Sequence, residues 1–281
     1  MAPKRIKILG ICGSPRRMTT DRAMEEVFKA IREFDWVETE YIHLADYTLR
    51  HCTGCMACFG FNAPAEEPWH CYRFPEDQKG EIIPKMMASD GIILGTPVYG
   101  CGATALLRML IEMTPFGYYT FTKHAGAMRH KTLGVVTVGG ADIEGQETVG
   151  MDLWRWGLRL GMLPVSCPPT REDTLPVASV SGAFLSTVDS KVQYSREGVT
   201  KEGTRTTPPN QGSRNMRSCR NLGREMVVVT TAVKLGLQSM RDQNMEIPQT
   251  RPYKFYSLTP KPGSYVDKLV REKKIEVKKF K

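Results

Sequence analysis

Short apolar segments recur along the first 167 residues, and each ends in small or turn-forming residues. Continuous apolar runs predict buried strands, and an alternating segment predicts a strand with one polar face. The predicted strands are Arg5–Cys12, Val37–Leu44, Gly91–Val98, Lys131–Gly140 and Leu163–Cys167. When parallel strands end this way, the loops at their carboxyl ends can form a ligand-binding rim.

Between these runs, apolar positions spaced three and four residues apart predict helices. The clearest are Thr20–Phe34, Trp154–Leu163 and Leu222–Met240, and a further helix ends at Ser89-Asp90. Strands that alternate with helices favour a parallel sheet with helices on both faces. We therefore predict an α/β fold with a doubly wound, five-stranded parallel sheet.

Two segments differ in composition from this pattern. Residues 168–215 are rich in Pro, Gly, Ser, Thr and charge, and could form hairpins or wrap a partner. Residues 246–281 contain four prolines followed by charged residues, which indicates an extended tail. We predict one domain made of residues 1–167 and 216–243, an insertion at 168–215 and a basic C-terminal extension at 244–281.

The net charge of +9 is carried by these additions. Residues 1–167 hold 18 Lys and Arg against 19 Asp and Glu, whereas residues 251–281 hold 10 against 3. No nucleic-acid recognition motif accompanies the basic charge, so nucleic acid is not favoured as a partner. The sequence has no apolar run long enough to span a membrane, and its N-terminus lacks the pattern of a signal peptide. We expect a cytoplasmic protein.

The loop after the first strand has the composition of a phosphate site. Gly13-Ser14-Pro15-Arg16-Arg17-Met18-Thr19-Thr20-Asp21 offers hydroxyls, backbone N–H groups and the positive end of a helix dipole. Ser14, Arg16, Thr19 and Thr20 are the candidate ligands. The loop lacks the glycine patterns of triphosphate and dinucleotide sites. A flavin mononucleotide (FMN), which has one terminal phosphate, fits better, and an ordinary strand-to-helix turn is the alternative.

The eight cysteines include a compact group in the loop 50–72. Cys52, Cys55 and Cys58 follow the C-x2-C-x2-C spacing of cysteine-ligated [4Fe–4S] clusters, and Cys71 is the candidate fourth ligand. Cys101, or a [3Fe–4S] centre, is the alternative if Cys71 does not bind. The neighbouring His51 and His70 leave a zinc site open. Cys12 and Cys167 are interpreted as core residues.

Three sequence motifs together resemble the NADPH-dependent FMN reductase superfamily, which has a flavodoxin-like fold. They are G-S-P-R after the first strand, T-P-V-Y-G at Thr96–Gly100 and V-G-G at Val138–Gly140. With the cysteine motif added, the chain resembles the iron-sulfur flavoproteins of that superfamily. The segment before Cys71 is longer than is usual there. The resemblance implies that the flavin ring is bordered by Thr96, Pro97, Val98, Tyr99, Gly100, Gly139 and Gly140.

These expectations combine into an electron-transfer oxidoreductase that passes electrons between a [4Fe–4S] cluster and FMN. The resemblance further implies a homodimer or homotetramer, and the basic tail could dock an acidic, ferredoxin-like donor. One alternative is an electron-relay or docking subunit of a larger complex. Another is an NAD(P)H-dependent flavin or quinone reductase with structural zinc.

Overall fold

The computed structural model describes residues 5–55, 57–58, 70–112, 124–139, 145–166, 183–186, 214–247 and 262–274. The strands there are β1 (Ile6–Cys12), β2 (Val37–His43), β3 (Gly91–Tyr99), β4 (Gly102–Ala103), β5 (Thr132–Gly139), β6 (Leu163–Pro164) and β7 (Ala183–Ser186). The helices are α1 (Thr19–Ile31), α2 (Lys79–Ala88), α3 (Ala105–Ile111), α4 (Gln146–Arg159), α5 (Arg214–Asp242) and α6 (Tyr265–Arg271).

The main sheet has the order β2-β1-β3-β5, and both β6 and β7 pair with β5 at its far edge. All of these pairings are parallel, which confirms the predicted α/β fold. The short β4 pairs antiparallel with the end of β3. Because the long strands run in the same direction, the loops that follow β1, β2, β3 and β5 all lie at one edge of the sheet.

The outer strand position is shared between two distant segments. β6 pairs with the start of β5, where Thr132 is opposite Leu163, and β7 pairs with its end, where Gly139 is opposite Ser186. β7 belongs to the 168–215 segment, so the described part of that segment extends the sheet. Four residues are too few to show a strand period in the sequence, which is why β7 was not predicted.

Helices cover both faces of the sheet. On one face α1 and α5 pack on β1, β3 and β5, with Phe28 and Met226 fully buried among strand side chains. The two helices approach closely at Gly223, where a Cβ atom would lie 2.4 Å from the carbonyl oxygen of Val27. On the other face α2, α3 and α4 bury Ile82, Leu107 and Leu153. Strand residues alternate between these two cores, as a doubly wound sheet requires.

Some helices differ from the prediction. α4 begins at Gln146, eight residues before the predicted start, and ends at Arg159. Its first half contains polar residues and Gly150, and it therefore shows little apolar periodicity in the sequence. The short helices α3 and α6 were not predicted, and α6 lies in the segment expected to be extended. None of the helices in the described ranges combines the length and the apolar character needed to cross a membrane.

Candidate functional site

A solvent-open crevice of about 590 Å³ lies at the carboxyl ends of β1, β3 and β5. Three loops that are distant in the sequence form its wall. The lining residues are Ser14, Arg16, Met18, Thr19, Thr20, Pro97, Val98, Tyr99, Val138 and Gly139. The structure therefore brings together eight of the eleven predicted cofactor-binding residues in one crevice.

The loop between β1 and α1 forms the polar end of the crevice. The Ser14 hydroxyl is buried; it donates to the carbonyl oxygen of Arg16 at 2.6 Å and accepts from the Arg16 N–H at 3.1 Å. The N-cap residue of α1 is Met18, whose side chain makes no capping hydrogen bond. The first turn of α1 therefore presents its N–H groups and dipole to the crevice without a competing side-chain acceptor at the cap.

The turn after β3 forms the second wall. Tyr99 is 44% exposed, and its hydroxyl accepts a hydrogen bond from the Arg16 guanidinium at 3.2 Å, which links this wall to the β1–α1 loop. Gly100 and Cys101 both have positive φ angles, of 56° and 59°, and reverse the chain into β4. Gly100 therefore shapes the turn, although it is not one of the lining residues.

Thr96 does not line the crevice but holds its walls together. It is fully buried, and its hydroxyl donates to the Pro97 carbonyl oxygen at 2.9 Å and accepts from the Thr104 N–H at 3.2 Å. Thr104 in turn donates to the Gly13 carbonyl oxygen at 2.5 Å and caps α3. The sequence analysis missed Thr104, although a threonine before the apolar run ALLRML is a recognisable N-cap signal.

The end of β5 forms the third wall through Val138 and Gly139. A Cβ atom at Gly139 would lie 2.1 Å from the Nε2 atom of Gln146, which is buried at the start of α4. Any side chain at this position would require the Gln146 side chain to move. The predicted Gly140 lies outside the described residues. Met18 and Val138 also line the crevice. The sequence analysis did not predict them as ligands, because they are neither polar residues nor glycines.

The cysteine loop, residues 50–72, follows β2 and so starts at the same edge of the sheet. Cys52, Cys55, Cys58 and Cys71 are all described, and none forms a disulfide bond. Cys58 is buried and the other three are half-buried, whereas Cys101 is exposed. The Gly54 N–H donates to the Cys52 sulfur at 3.3 Å. Burial raises the pKa of the Cys71 thiol, and the backbone N–H groups of Phe74 and Arg73 oppose that rise by donating to it.

A buried ion pair anchors the start of this loop. Lys79 Nζ lies 2.8 Å from a carboxylate oxygen of Asp77, and both side chains are 1% exposed. The same ammonium donates to the Arg50 carbonyl oxygen, and the Arg50 N–H donates to Asp77 at 3.2 Å. Two residues later, the Cys52 N–H donates to the carboxylate of Glu112 at the end of α3.

α6 packs on the described part of the cysteine loop. Leu269 and Ala57 are buried together, with Cys55, Tyr72 and Tyr265 packed around them. The Tyr265 hydroxyl donates to the Tyr72 carbonyl oxygen at 3.0 Å, and the Arg73 guanidinium lies 4.8 Å from the centre of the Tyr265 ring. The C-terminal segment therefore contacts the cysteine loop directly.

The spacing of the cysteine sulfurs bears on the kind of metal centre they could hold. In the described residues, the only group of three potential ligand atoms lying within 4.8 Å of one another is Cys12, Asp21 and His43. A tetrahedral zinc ion with bonds of about 2.3 Å would bring its sulfurs to about 3.8 Å from each other. In the described residues, no three of the loop sulfurs all lie within 4.8 Å of one another.

The comparisons with known proteins decide the family. A family model described as NADPH-dependent FMN reductase matches residues 6–168. An iron-sulfur flavoprotein of Methanocaldococcus jannaschii is 37% identical over 161 residues, which are 57% of this chain and 76% of that protein. The chain belongs to the iron-sulfur flavoproteins of the NADPH-dependent FMN reductase superfamily.

Another iron-sulfur flavoprotein, from Archaeoglobus fulgidus, is 29% identical over 63% of this chain and 82% of its own length. Similarity to solved structures is more distant. A crystal structure of RosB with a bound intermediate has 16% identity and a TM-score of 0.49, and the alignment covers 92% of this chain and 94% of that one. Membership of the family makes this iron-sulfur flavoprotein an FMN-dependent oxidoreductase, which confirms that part of the sequence analysis.

Proposed function

We propose that the crevice binds FMN, that Cys52, Cys55, Cys58 and Cys71 hold a [4Fe–4S] cluster, and that electrons pass between the two. The observation that carries the proposal is the placement of α3. Its cap, Thr104, bonds to Gly13 beside the crevice, and Glu112 at its other end bonds to Cys52. Seven helical residues span about 10 Å. One short, rigid helix therefore connects the two candidate cofactor sites.

The crevice residues fit an FMN group. The buried Ser14 and the open first turn of α1 supply donors for a phosphate, with Thr19 and Thr20 beside them. Pro97, Val98 and Tyr99 supply a mainly apolar wall for a ring, and Gly139 lets the backbone approach it. When bound, FMN supplies one- and two-electron chemistry.

The cysteine loop fits an iron–sulfur cluster. None of its four cysteines forms a disulfide bond, and backbone N–H groups donate to the Cys52 and Cys71 sulfurs, the kind of hydrogen bond that tunes such clusters. A bound cluster supplies single-electron transfer. Around it, Glu112 and Lys79 hold the loop entry, and Tyr265 and Leu269 of α6 exclude water from the side of Cys55.

The outer surfaces suit protein partners. Residues 251–281 carry 10 basic against 3 acidic residues, and α6 places part of that segment on the cysteine loop. An acidic, ferredoxin-like donor that docks there would reach the cluster side of the protein first. We further propose a homodimer or homotetramer in the cytoplasm as the working form. The crevice is open to solvent, so a small molecule can reach it as the final electron acceptor.

Cofactor analysis after anaerobic purification tests this proposal. We expect about four iron and four sulfide per chain and up to one FMN. Cys55→Ser should lose the iron and sulfide and keep the FMN, because Cys55 is not one of the residues that line the crevice. Cys101→Ser is the matched control and should keep both cofactors, because Cys101 is exposed and is not one of the four ligands. Zinc in place of iron, or iron retained in Cys55→Ser and lost in Cys101→Ser, would contradict the assignment.

A further inference from the structure

A second group of potential metal ligands lies behind the phosphate loop, apart from the cysteine loop. Cys12 ends β1, Asp21 lies in the first turn of α1 and His43 ends β2. The Cys12 sulfur, a carboxylate oxygen of Asp21 and an imidazole nitrogen of His43 all lie within 4.8 Å of one another. Cys12 and His43 are buried, and Asp21 is half-buried. The sequence analysis had interpreted Cys12 as an ordinary core residue.

His43 provides an independent sign of a ligand. Its side chain is 1% exposed, yet neither ring nitrogen has a hydrogen-bond partner. The Asp21 carboxylate lies beside it, with 3.9 Å between Nε2 and Oδ1. Buried polar groups are nearly always satisfied, so an imidazole that lacks partners on both nitrogens needs an explanation. A cation bound to one nitrogen would satisfy that nitrogen.

We propose that Cys12, Asp21 and His43 bind one zinc-class divalent cation. Thiolate, imidazole and carboxylate are the three ligand types that zinc takes in proteins, and tetrahedral bonds of about 2.0–2.3 Å need only modest closure of the present spacing. A thiolate and a carboxylate together balance the charge of a divalent ion, so the buried site is neutral overall. The Asp21 side chain is 28% exposed, which leaves water a route to the fourth position.

The surrounding groups orient two of these ligands. The Tyr41 hydroxyl donates to Asp21 Oδ1 at 2.6 Å, and the backbone N–H of Ser14 donates to the Cys12 sulfur. Metal ligands are commonly held by such outer hydrogen bonds, which fix their geometry. If hydrogen bonds alone held these residues together, the His43 nitrogens would be expected to take part in them. Neither nitrogen has a hydrogen-bond partner.

The cation would join three elements at the phosphate end of the crevice. Cys12 directly precedes Gly13-Ser14, and Asp21 directly follows Thr20, so two ligands flank the predicted phosphate loop. His43 adds the end of β2, next to β1 in the sheet. The bound cation would therefore hold the loop in its phosphate-binding shape, and its loss should weaken FMN binding without removing the cysteine-bound iron.

Metal analysis of the intact, anaerobically purified protein tests the site. After incubation with Zn²⁺ and gel filtration, we expect one zinc per chain in addition to the iron. Cys12→Ser should lose the zinc and keep the iron, and His43→Gln should do the same. Cys219→Ser is the matched control, because Cys219 is also fully buried but lies in α5. Circular dichroism identifies any variant that fails to fold.

Cobalt provides a spectroscopic readout of the ligands. With Co²⁺ as the probe, we expect a sulfur-to-cobalt charge-transfer band in the wild type and in Cys219→Ser that is absent from Cys12→Ser. No cation beyond iron in the wild type, or zinc and the cobalt band retained in Cys12→Ser, would overturn the proposal. Zinc lost only in Cys55→Ser would assign it to the cysteine loop, and would count against both this site and the proposed cluster.

Discussion

The crevice and the cysteine loop lie at the same edge of the sheet, but they are held in different ways. The crevice is built on strand ends and on the start of α1, so the sheet register itself positions its residues. The cysteine loop is positioned by side chains from distant segments, among them Lys79, Glu112 and Tyr265. We infer that the crevice has the stability of the core, whereas the cysteine loop can be released without unfolding the sheet.

The largest effect is expected from Lys79→Met, which breaks the buried pair at the start of the cysteine loop. It leaves the Asp77 carboxylate buried and unpaired, and we expect a loss of about 3–5 kcal/mol in the free energy of unfolding. It also frees the Arg50 carbonyl, so iron should be lost before FMN. Urea unfolding measures the stability, and iron and flavin analysis measures the order in which the two cofactors are lost.

The double variant Asp77→Asn with Lys79→Met should recover part of the stability, because neither charge is then buried alone. Loss of FMN and iron in equal proportion would show that the two regions are not independent.

An intermediate effect is expected from Gly13→Ala, which acts on the crevice side. The new methyl group would lie 2.7 Å from the Leu107 Cβ atom and 3.3 Å from the Gly95 carbonyl oxygen, so the phosphate loop must shift. We expect a loss of about 1–3 kcal/mol in the free energy of unfolding and weaker FMN binding, with the iron content unchanged.

Gly236→Ala in α5 is the control, since nothing lies within 4 Å of its Cβ position. It should stabilise by about 0.5–1 kcal/mol. Equal flavin affinity in Gly13→Ala and wild type would contradict the packing argument.

The smallest effect is expected from Tyr265→Phe, which removes one hydrogen bond between α6 and the cysteine loop. The lost bond to the Tyr72 carbonyl is worth about 0.5–1.5 kcal/mol. We expect the iron to be lost faster in air, while FMN binding stays the same. The rate at which the cluster absorbance fades on exposure to oxygen measures this. Tyr99→Phe removes a tyrosine hydroxyl at the crevice and is the control; it should leave the fading rate unchanged. The same rate in the wild type, Tyr265→Phe and Tyr99→Phe would argue that α6 does not protect the loop.

The two regions also differ in how far the sequence could predict them. Ser14, Tyr99 and Gly139 were predicted to share one site because strand ends and glycine-containing loops have local signatures, and the structure places all three in one crevice. The residues that hold these loops were missed. Glu112 and Tyr265 bond to atoms far away in the sequence, and no local pattern reports such contacts. Thr96 was expected to border the flavin, and the structure places it, fully buried, between two loops.

The same limit applies to parts of the fold. β1, β3 and β5 were predicted within one residue because continuous apolar runs mark buried strands, and β2 was predicted equally well because its apolar and polar residues alternate. β7 was not predicted, because its place in the sheet is set by pairing with β5 and not by its own four residues. His43 was not selected as a candidate because its isolation among buried side chains is visible only in three dimensions.

Anaerobic stopped-flow absorption tests the central claim most directly, because it follows electrons between the cysteine loop and the crevice. The oxidised wild type and Cys55→Ser are each mixed with a one-electron reductant, and cluster and flavin absorbance are followed together. We expect the flavin of the wild type to bleach in step with the cluster, and the flavin of Cys55→Ser, with FMN still bound, to bleach much more slowly. Equal rates of flavin bleaching in the two proteins would contradict electron transfer through the cysteine loop.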